Sequence, residues 1–246
     1  MRILLLSFLL LAPLAAEDSN AAKVYSNSKR PRALALIGDR FHSPTMMRDG
    51  LIQALVRENL PVTFLEEVTA LNAPALAEHQ LLIMARNGRY WPNGYDKPEA
   101  RWMTDAQQKA IWHFVENGGA LLAIHNAHTA YPPGPYLKLF GGEFGGHPKP
   151  YVFSVRIENP NHPVTAGVED FDIYDEHHMN KYALDQEHLL LRSIARDNAA
   201  APAGWWREVG KGRFCYLSPG HTPEALSHPM MQRLLRNAMR WVLRIE

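Results

Sequence analysis

The fold of this chain can be predicted from one stretch of its sequence, Gly118-Gly119-Ala120-Leu121-Leu122-Ala123-Ile124-His125. The glycine pair ends a helical pattern, and only apolar residues follow until the histidine. A short apolar run between turn residues is typical of a strand that is buried on both faces, as in the centre of a parallel sheet. The histidine then places a polar ring at the end of the most apolar strand in the chain.

Similar apolar runs precede this strand, and helical patterns separate them. They predict strands at residues 33–37, 62–65 and 81–84. A capping side chain or a proline marks the predicted helix starts, which lie at Ser43-Pro44, near Ala73-Pro74 and at Thr104-Asp105. Alternating strands and helices predict βαβ units, and therefore an α/β fold with a mostly parallel central sheet.

The second half of the chain is less regular. Apolar or alternating residues predict strands at residues 151–157, 189–191 and 214–217. An amphipathic pattern predicts a last helix from Met230 to Leu243. Residues 86–103 are rich in Gly, Pro, Trp and Tyr and are predicted to form a long loop.

The first residues resemble a secretory signal peptide. Residues 1–16 begin with Arg2, continue with a mainly apolar run and end in the small pair Ala15-Ala16. The apolar run is shorter than the roughly 20 residues of a membrane-spanning helix, although an uncleaved anchor is an open alternative. Residues 17–31 predict a flexible leader and residues 32–246 a single domain. The expected location is secreted or periplasmic, without membrane attachment once the signal is removed.

Charge and cysteine content exclude several classes of partner and site. The chain has 26 Lys and Arg against 25 Asp and Glu, a formal net charge of +1, and no basic stripe. Nucleic acid is therefore not an expected partner. Cys215 is the single cysteine, which excludes an internal disulfide, and its place in a strand pattern predicts a small core residue. The 12 histidines are the unusual feature of the composition.

Several polar residues follow the ends of predicted strands. They are Asp39 and His42, Arg86 and Asn87, His125 and Asn126, and Gly220 and His221. The carboxyl ends of parallel strands meet at one edge of a sheet, where ligands bind in open α/β folds. We therefore expect these side chains to converge on one site.

His125 is the sharpest candidate among them. A tight turn after its strand would present its side chain at the sheet edge, where hydrolases and amidotransferases place a Ser or Cys nucleophile. Cys215 lies within a strand pattern and does not offer such a nucleophile. A histidine that is merely a satisfied polar residue is the alternative for His125.

Three other clusters of polar residues are candidates for the site. Residues 174–178, Tyr-Asp-Glu-His-His, contain two carboxylates and two imidazoles that could be metal ligands or an acid–base pair. The favoured interpretation is that these residues form a solvated turn. His147 ends the glycine-rich run 141–146, whose backbone can approach a ligand closely. His221 and Glu224 form a base and its orienting carboxylate, or a helix starts there with Thr222 as its cap.

Imidazole and carboxylate side chains also suit a divalent metal such as zinc. His125, His147, Glu176 and His221 are a chemically reasonable set of ligands, although no pair of them has a signature spacing. His162 is predicted to be structural, and four histidines without a partner pattern are assigned to the surface or the core edge: His79, His113, His188 and His228.

Together these motifs resemble the ThuA-like (trehalose utilisation) family. The resemblance covers roughly residues 32–244, in the order of that family. It rests on these pieces: residues 118–125, Phe140-Gly141-Gly142 with His147-Pro148, residues 161–167, Asp175-Glu176, Trp205-Trp206, residues 210–213, Gly220-His221 and residues 236–241. It implies a flavodoxin-like sheet with helices on both faces, as in the class I glutamine amidotransferase-like superfamily. That superfamily has a cysteine where His125 stands, so amidotransferase activity is not expected.

The resemblance also implies carbohydrate catabolism, with an oxidised (3-keto) sugar or glycoside as the small-molecule partner. The expected catalytic residues are His125, Glu176 and His221, and the expected substrate-binding residues are Asp39, His42, Asn126 and His147. Tyr90, Trp91 and Tyr131 are candidates for stacking on a sugar ring. A protein that binds a carbohydrate or a partner without turnover is the alternative function.

Overall fold

The computed structural model describes residues 30–245. The predicted signal peptide and residues 17–29 of the predicted leader lie outside the described residues. Within residues 30–245, none of the helices has the length and apolar character needed to cross a bilayer.

The strands and helices agree with the α/β pattern of the sequence. The strands are β1 (Ala33–Ile37), β2 (Val62–Leu65), β3 (Leu81–Ala85), β4 (Arg89–Tyr90), β5 (Ala100–Arg101), β6 (Ala120–Ile124), β7 (Gly142–Glu143), β8 (Tyr151–Ile157), β9 (Phe171–Asp175), β10 (Lys181–Tyr182), β11 (Leu189–Ile194), β12 (Ala200–Val209) and β13 (Gly212–Leu217). The helices are α1 (Pro44–Arg57), α2 (Ala73–Ala77), α3 (Asp105–Glu116), α4 (Pro135–Lys138), α5 (Pro223–Ser227) and α6 (Pro229–Val242).

A nine-stranded sheet forms the centre of the fold, in the order β2-β1-β3-β6-β13-β12-β11-β8-β9. Each neighbouring pair from β2 to β13 is parallel. The remaining pairs, from β13 to β9, are antiparallel. The predicted flavodoxin-like fold is confirmed, and an antiparallel extension widens its parallel sheet.

Helices cover both faces of the sheet and form two cores. Alternate residues of β1 point to opposite faces, so that Ala35 packs in one core and Leu36 in the other. Leu51 of α1 and Leu234 of α6 belong to the first core, and Ile111 of α3 belongs to the second. The fully apolar β6 is buried along its whole length because both of its faces are covered.

Capping explains where several helices begin. The Thr104 hydroxyl accepts the Gln107 N–H, and the Thr104 N–H donates to Gln107 Oε1. This capping box forms the start of α3. Thr222 caps α5 as predicted, by accepting the Ala225 N–H. Ser43 stands at the N-cap of α1, but its side chain makes no capping hydrogen bond, and Pro44 in the first turn marks the start instead.

The structure differs from the sequence prediction in one connecting region and in two strands. Residues 86–103 are not wholly a loop, because β4 and β5 pair within them as an antiparallel hairpin. The sequence pattern also missed β9 and β12, both of which belong to the central sheet. Pro202 and Gly204 interrupt the pattern of β12, since both residues are uncommon within strands.

His162 is expected to make the protein less stable in mild acid. Its ring stacks on Trp206, and burial, aided by the nearby Arg213, lowers its pKa from 6.5 to about 4. The folded protein therefore binds fewer protons at this site than the unfolded chain does. The contribution of His162 to stability is complete above about pH 6.5 and is lost as the pH falls through about 4.

The variant His162→Asn tests this expectation, because asparagine can still accept the Val164 N–H that His162 Nδ1 accepts at 3.2 Å. Between about pH 7 and pH 4, the wild-type free energy of unfolding should fall by about 1–2 kcal/mol more than that of H162N, a figure reduced for the partial exposure of the ring. Urea denaturation at both pH values measures the difference. The other histidines titrate in both proteins, so an equal fall would rule out this role for His162.

Candidate functional site

A small cavity lies at the carboxyl ends of the parallel strands. Its volume is about 220 Å³, and it is lined by a set of residues that we call the histidine cavity: His42, His125, His147, His178, His221 and Glu176. Asn126 also lines it, while Asp39 lies directly behind His42. The structure thus brings together all the residues that the sequence predicted for catalysis and substrate binding.

His125 sits in a tight turn directly after β6. Its backbone is in the left-handed region, with φ of 54°, a conformation that residues other than glycine rarely adopt. Tyr216 donates a hydrogen bond of 2.7 Å to the His125 carbonyl and so holds this turn. The turn directs the ring into the cavity, as the nucleophile turn of a hydrolase does for serine.

The protonation state of His125 follows from its surroundings. Its Nδ1 lies 3.0 Å from the Ser218 carbonyl, which can only accept, so Nδ1 carries the hydrogen. Its Nε2 is buried and has no hydrogen-bond partner. Burial lowers the pKa of His125 to about 4, so the ring is neutral at pH 7 with the lone pair of Nε2 facing the cavity.

Asp39 and Asn126 orient His42. The Asp39 carboxylate accepts from His42 Nδ1 at 2.7 Å and from the Asn126 side chain at 2.9 Å. Burial opposes ionisation, but the hydrogen bond from His42, with the backbone N–H groups of Asn87 and Phe41, lowers the pKa of Asp39 to about 2. His42 therefore has a fixed tautomer, with its Nε2 turned toward His221 at 3.0 Å.

Glu176 is the carboxylate at the centre of the cavity. Its Oε2 lies 3.4 Å from His125 Nε2, 3.4 Å from His221 Nδ1 and 3.6 Å from His178 Nε2. Its Oε1 lies 3.3 Å from His147 Nδ1. One carboxylate thus faces four imidazole rings.

The favoured interpretation of residues 174–178 as a solvated turn was wrong, because every residue from Asp175 to His178 is buried. Glu176 and His178 face the cavity. Asp175 instead accepts the backbone N–H groups of Gly220, His221 and Thr222. His177 turns away and contacts the Tyr151 hydroxyl at 2.9 Å.

The sequence left open whether His178 faces the site, and it missed the aromatic wall of Phe41 and Phe144. Alternation along an extended chain would have identified His178, since residues two apart share a side. Tyr131 was wrongly expected to contact a sugar, because it is buried and its hydroxyl donates to the Arg86 carbonyl. Cys215 is buried in β13 as predicted, and burial raises its thiol pKa.

A family model described as "ThuA: Trehalose utilisation" matches residues 32–242. The chain belongs to the ThuA family. No curated protein matches it in sequence.

Solved structures share the ThuA fold of this chain. A ThuA-like protein from Bacteroides uniformis is 20% identical with a TM-score of 0.67, and the match covers 89% of this chain and 93% of the other. A ThuA-like protein from Parabacteroides merdae is 15% identical, also with a TM-score of 0.67, over 87% and 90% of the two chains. A Salmonella typhimurium protein described as cytoplasmic is 13% identical with a TM-score of 0.61, over 86% and 98%.

The hydroxyl of Tyr216 is expected to stabilise the turn of His125 in this ThuA protein. Tyr216→Phe leaves the buried His125 carbonyl without its donor, so the free energy of unfolding should fall by about 1–3 kcal/mol. Tyr182→Phe is the matched control, because the Tyr182 hydroxyl donates to the Asp185 carbonyl at an exposed position. Urea denaturation compares the two variants, and an equal loss in both would show that the buried bond has no special role.

Proposed function

We propose that this chain is an exported enzyme that acts on an oxidised (3-keto) sugar or glycoside by transferring a proton next to the ketone. Its export rests on the sequence of residues 1–16 alone. The observation that carries the proposal is the histidine cavity, in which imidazole rings surround one carboxylate. The family description, trehalose utilisation, supports a sugar as the substrate.

The size of the cavity supports a single sugar ring as the reacting group. Its 220 Å³ is below the about 300–1,000 Å³ of pockets that hold drug-sized ligands. A larger groove of about 820 Å³, lined by Tyr151, Met179 and Arg196 among others, shares His147 with the cavity. We call it the outer groove, and it is suited to the second ring or the aglycone of a glycoside.

The chemistry of the cavity supports proton transfer. A ketone at C3 acidifies the C–H bond at C2, so that a base can remove this proton and leave an enolate. The electron pair of the enolate can then expel the group bound at C1, which is an elimination, or take the proton back at another atom, which is an isomerisation. Imidazole and carboxylate groups perform such transfers, which contribute about 10²–10⁴-fold to the rate.

The solvent exposure of each residue indicates its role in the proton transfer. His221 and His147 are partly open to solvent, with exposed side-chain fractions of 23% and 35%, and can exchange protons. Glu176 lies between them and can accept the proton from carbon or orient the accepting imidazole. His125 is completely enclosed and neutral, so it is suited to offering its lone pair rather than to exchanging protons with water.

An exposed aromatic arm beside the cavity supports sugar binding. Phe41 lines the cavity with 51% of its surface exposed, and Trp91 packs edge-on against it. Tyr95 continues the arm, and the Arg40 guanidinium lies over the rings of all three. Aromatic faces of this kind offer an apolar surface to the C–H side of a sugar ring.

Glu176→Gln tests the proposed chemistry. Glutamine has the same shape but cannot take up a proton, so turnover of a panel of 3-keto glycosides should fall about 100-fold or more. Glu143→Gln is the matched control, because Glu143 is exposed on β7, and it should leave turnover unchanged. Progress curves for product formation provide the measurement.

The two functional alternatives separate in the same experiment. Full turnover by E176Q would remove Glu176 from the reaction. Thermal stabilisation of the wild type by the glycosides without any turnover would support the binding function instead, since a ligand of the folded state raises stability. If no sugar is turned over and none stabilises the protein, a sugar is ruled out as the substrate class.

A further inference from the structure

Four possible metal-ligand atoms of the histidine cavity lie close together. They belong to His42, His125, His221 and Glu176, and they all lie within 4.8 Å of one another. Three of the separations are 3.0 Å between His42 Nε2 and His221 Nδ1, and 3.4 Å from Glu176 Oε2 to both His125 Nε2 and His221 Nδ1. With metal–nitrogen distances of about 2.0–2.1 Å, two ligands of a tetrahedral zinc ion lie about 3.3 Å apart.

The outer contacts of two of these histidines match those of metal ligands. His42 donates its Nδ1 hydrogen to the Asp39 carboxylate, and His125 donates its Nδ1 hydrogen to the Ser218 carbonyl. Both rings are thus held in the tautomer that has its lone pair on Nε2. Metal-bound histidines nearly always make such a second hydrogen bond to a carboxylate or a backbone carbonyl, which sets the direction of the lone pair.

The protein alone does not satisfy this arrangement. His125 Nε2 is buried, has no hydrogen-bond partner and presents its lone pair to the Glu176 carboxylate oxygen. Buried polar atoms are nearly always paired, and two acceptors face each other favourably only when a positive group lies between them. Within residues 30–245 no Lys or Arg is in an ion pair with Glu176, whose partners are all imidazoles.

We infer that His42, His125, His221 and Glu176 bind a divalent transition-metal ion such as zinc. Three imidazole nitrogens and one carboxylate oxygen are a ligand set for zinc and its neighbours, whereas calcium and magnesium prefer oxygen ligands. The sequence had placed His147 in this set. The structure puts His42 there instead and groups His147 with Glu176 and His178.

The ion would lie in the wall of the cavity that is proposed to hold the sugar. Only its role in turnover rests on the proposed function: a metal ion there can polarise the keto oxygen and stabilise the enolate. His147 would stay free of the ion, with 35% of its side chain exposed, and would be the imidazole left to move protons. The binding of the ion itself needs no substrate.

Metal binding to the mature chain, without an affinity tag and stripped with a chelator, tests this inference. Titration calorimetry with Zn²⁺ and elemental analysis after desalting should both find one ion per chain, and Zn²⁺ should raise the melting temperature. Co²⁺ in place of Zn²⁺ should show the strong visible absorption of a four-coordinate site. Less than one ion per chain in both measurements would overturn the inference.

Substitutions assign the site to these residues. His221→Gln, at the partly exposed ligand, should weaken Zn²⁺ binding by about 100-fold or more, beyond the about 10–100-fold typical for loss of an outer contact. His113→Gln is the matched control, because 66% of the His113 side chain is exposed on α3, and it should bind Zn²⁺ like the wild type. Glu176→Gln is a second variant in case H221Q does not fold, as judged by circular dichroism. If folded H221Q or folded E176Q binds Zn²⁺ as tightly as H113Q does, the proposed site is wrong.

Failure of the metal site and failure of the proposed function give different results. Stoichiometric zinc without turnover of any 3-keto glycoside would support the site and contradict the function. Turnover by a stripped protein that binds no zinc would overturn the site and leave the proposed acid–base function intact.

Discussion

The buried carboxylate of Asp175 joins the two halves of this molecule. Asp175 ends β9, which is the outermost antiparallel strand, and it accepts the backbone N–H groups of Gly220, His221 and Thr222, which follow the central strand β13. The two strands are four places apart in the sheet order, so the antiparallel half has to curve back over the sheet edge. Because Glu176 is the next residue, this contact carries it to the imidazoles. Without the contact, Glu176 would not be held among the histidines that follow the parallel strands.

Burial then determines the electrostatics of the site. Burial lowers the pKa of His125, His178 and His221 and so favours their neutral forms. Hydrogen bonds to Asp39 and to the Ser218 carbonyl decide which nitrogen keeps its lone pair. The result is a set of imidazole nitrogens around one carboxylate. Such a set is suited to binding a cation or to moving protons.

The cavity and the outer groove share His147, and this gives the two spaces different characters. The cavity is small and surrounded by imidazoles, whereas the larger groove has Tyr151 and Arg196 along its wall. A reacting ring and a second, more variable group can therefore be bound by separate surfaces. His147 is exposed and follows a glycine-rich segment, so its position depends less on the core than that of the fully buried His125.

The sequence by itself determined the parallel half of the fold. Runs such as residues 33–37 and 120–124 coincide with β1 and β6, since a strand covered on both faces must be apolar along its length. It also indicated His125 and His221, because the carboxyl ends of parallel strands meet at one edge. Only the tertiary structure decided that Glu176 and His178, and not Asp175 and His177, face the cavity, and that His42 rather than His147 completes the inner cluster. Those choices depend on how far the antiparallel half curves and which tautomers the buried contacts select, and both are properties of long-range packing.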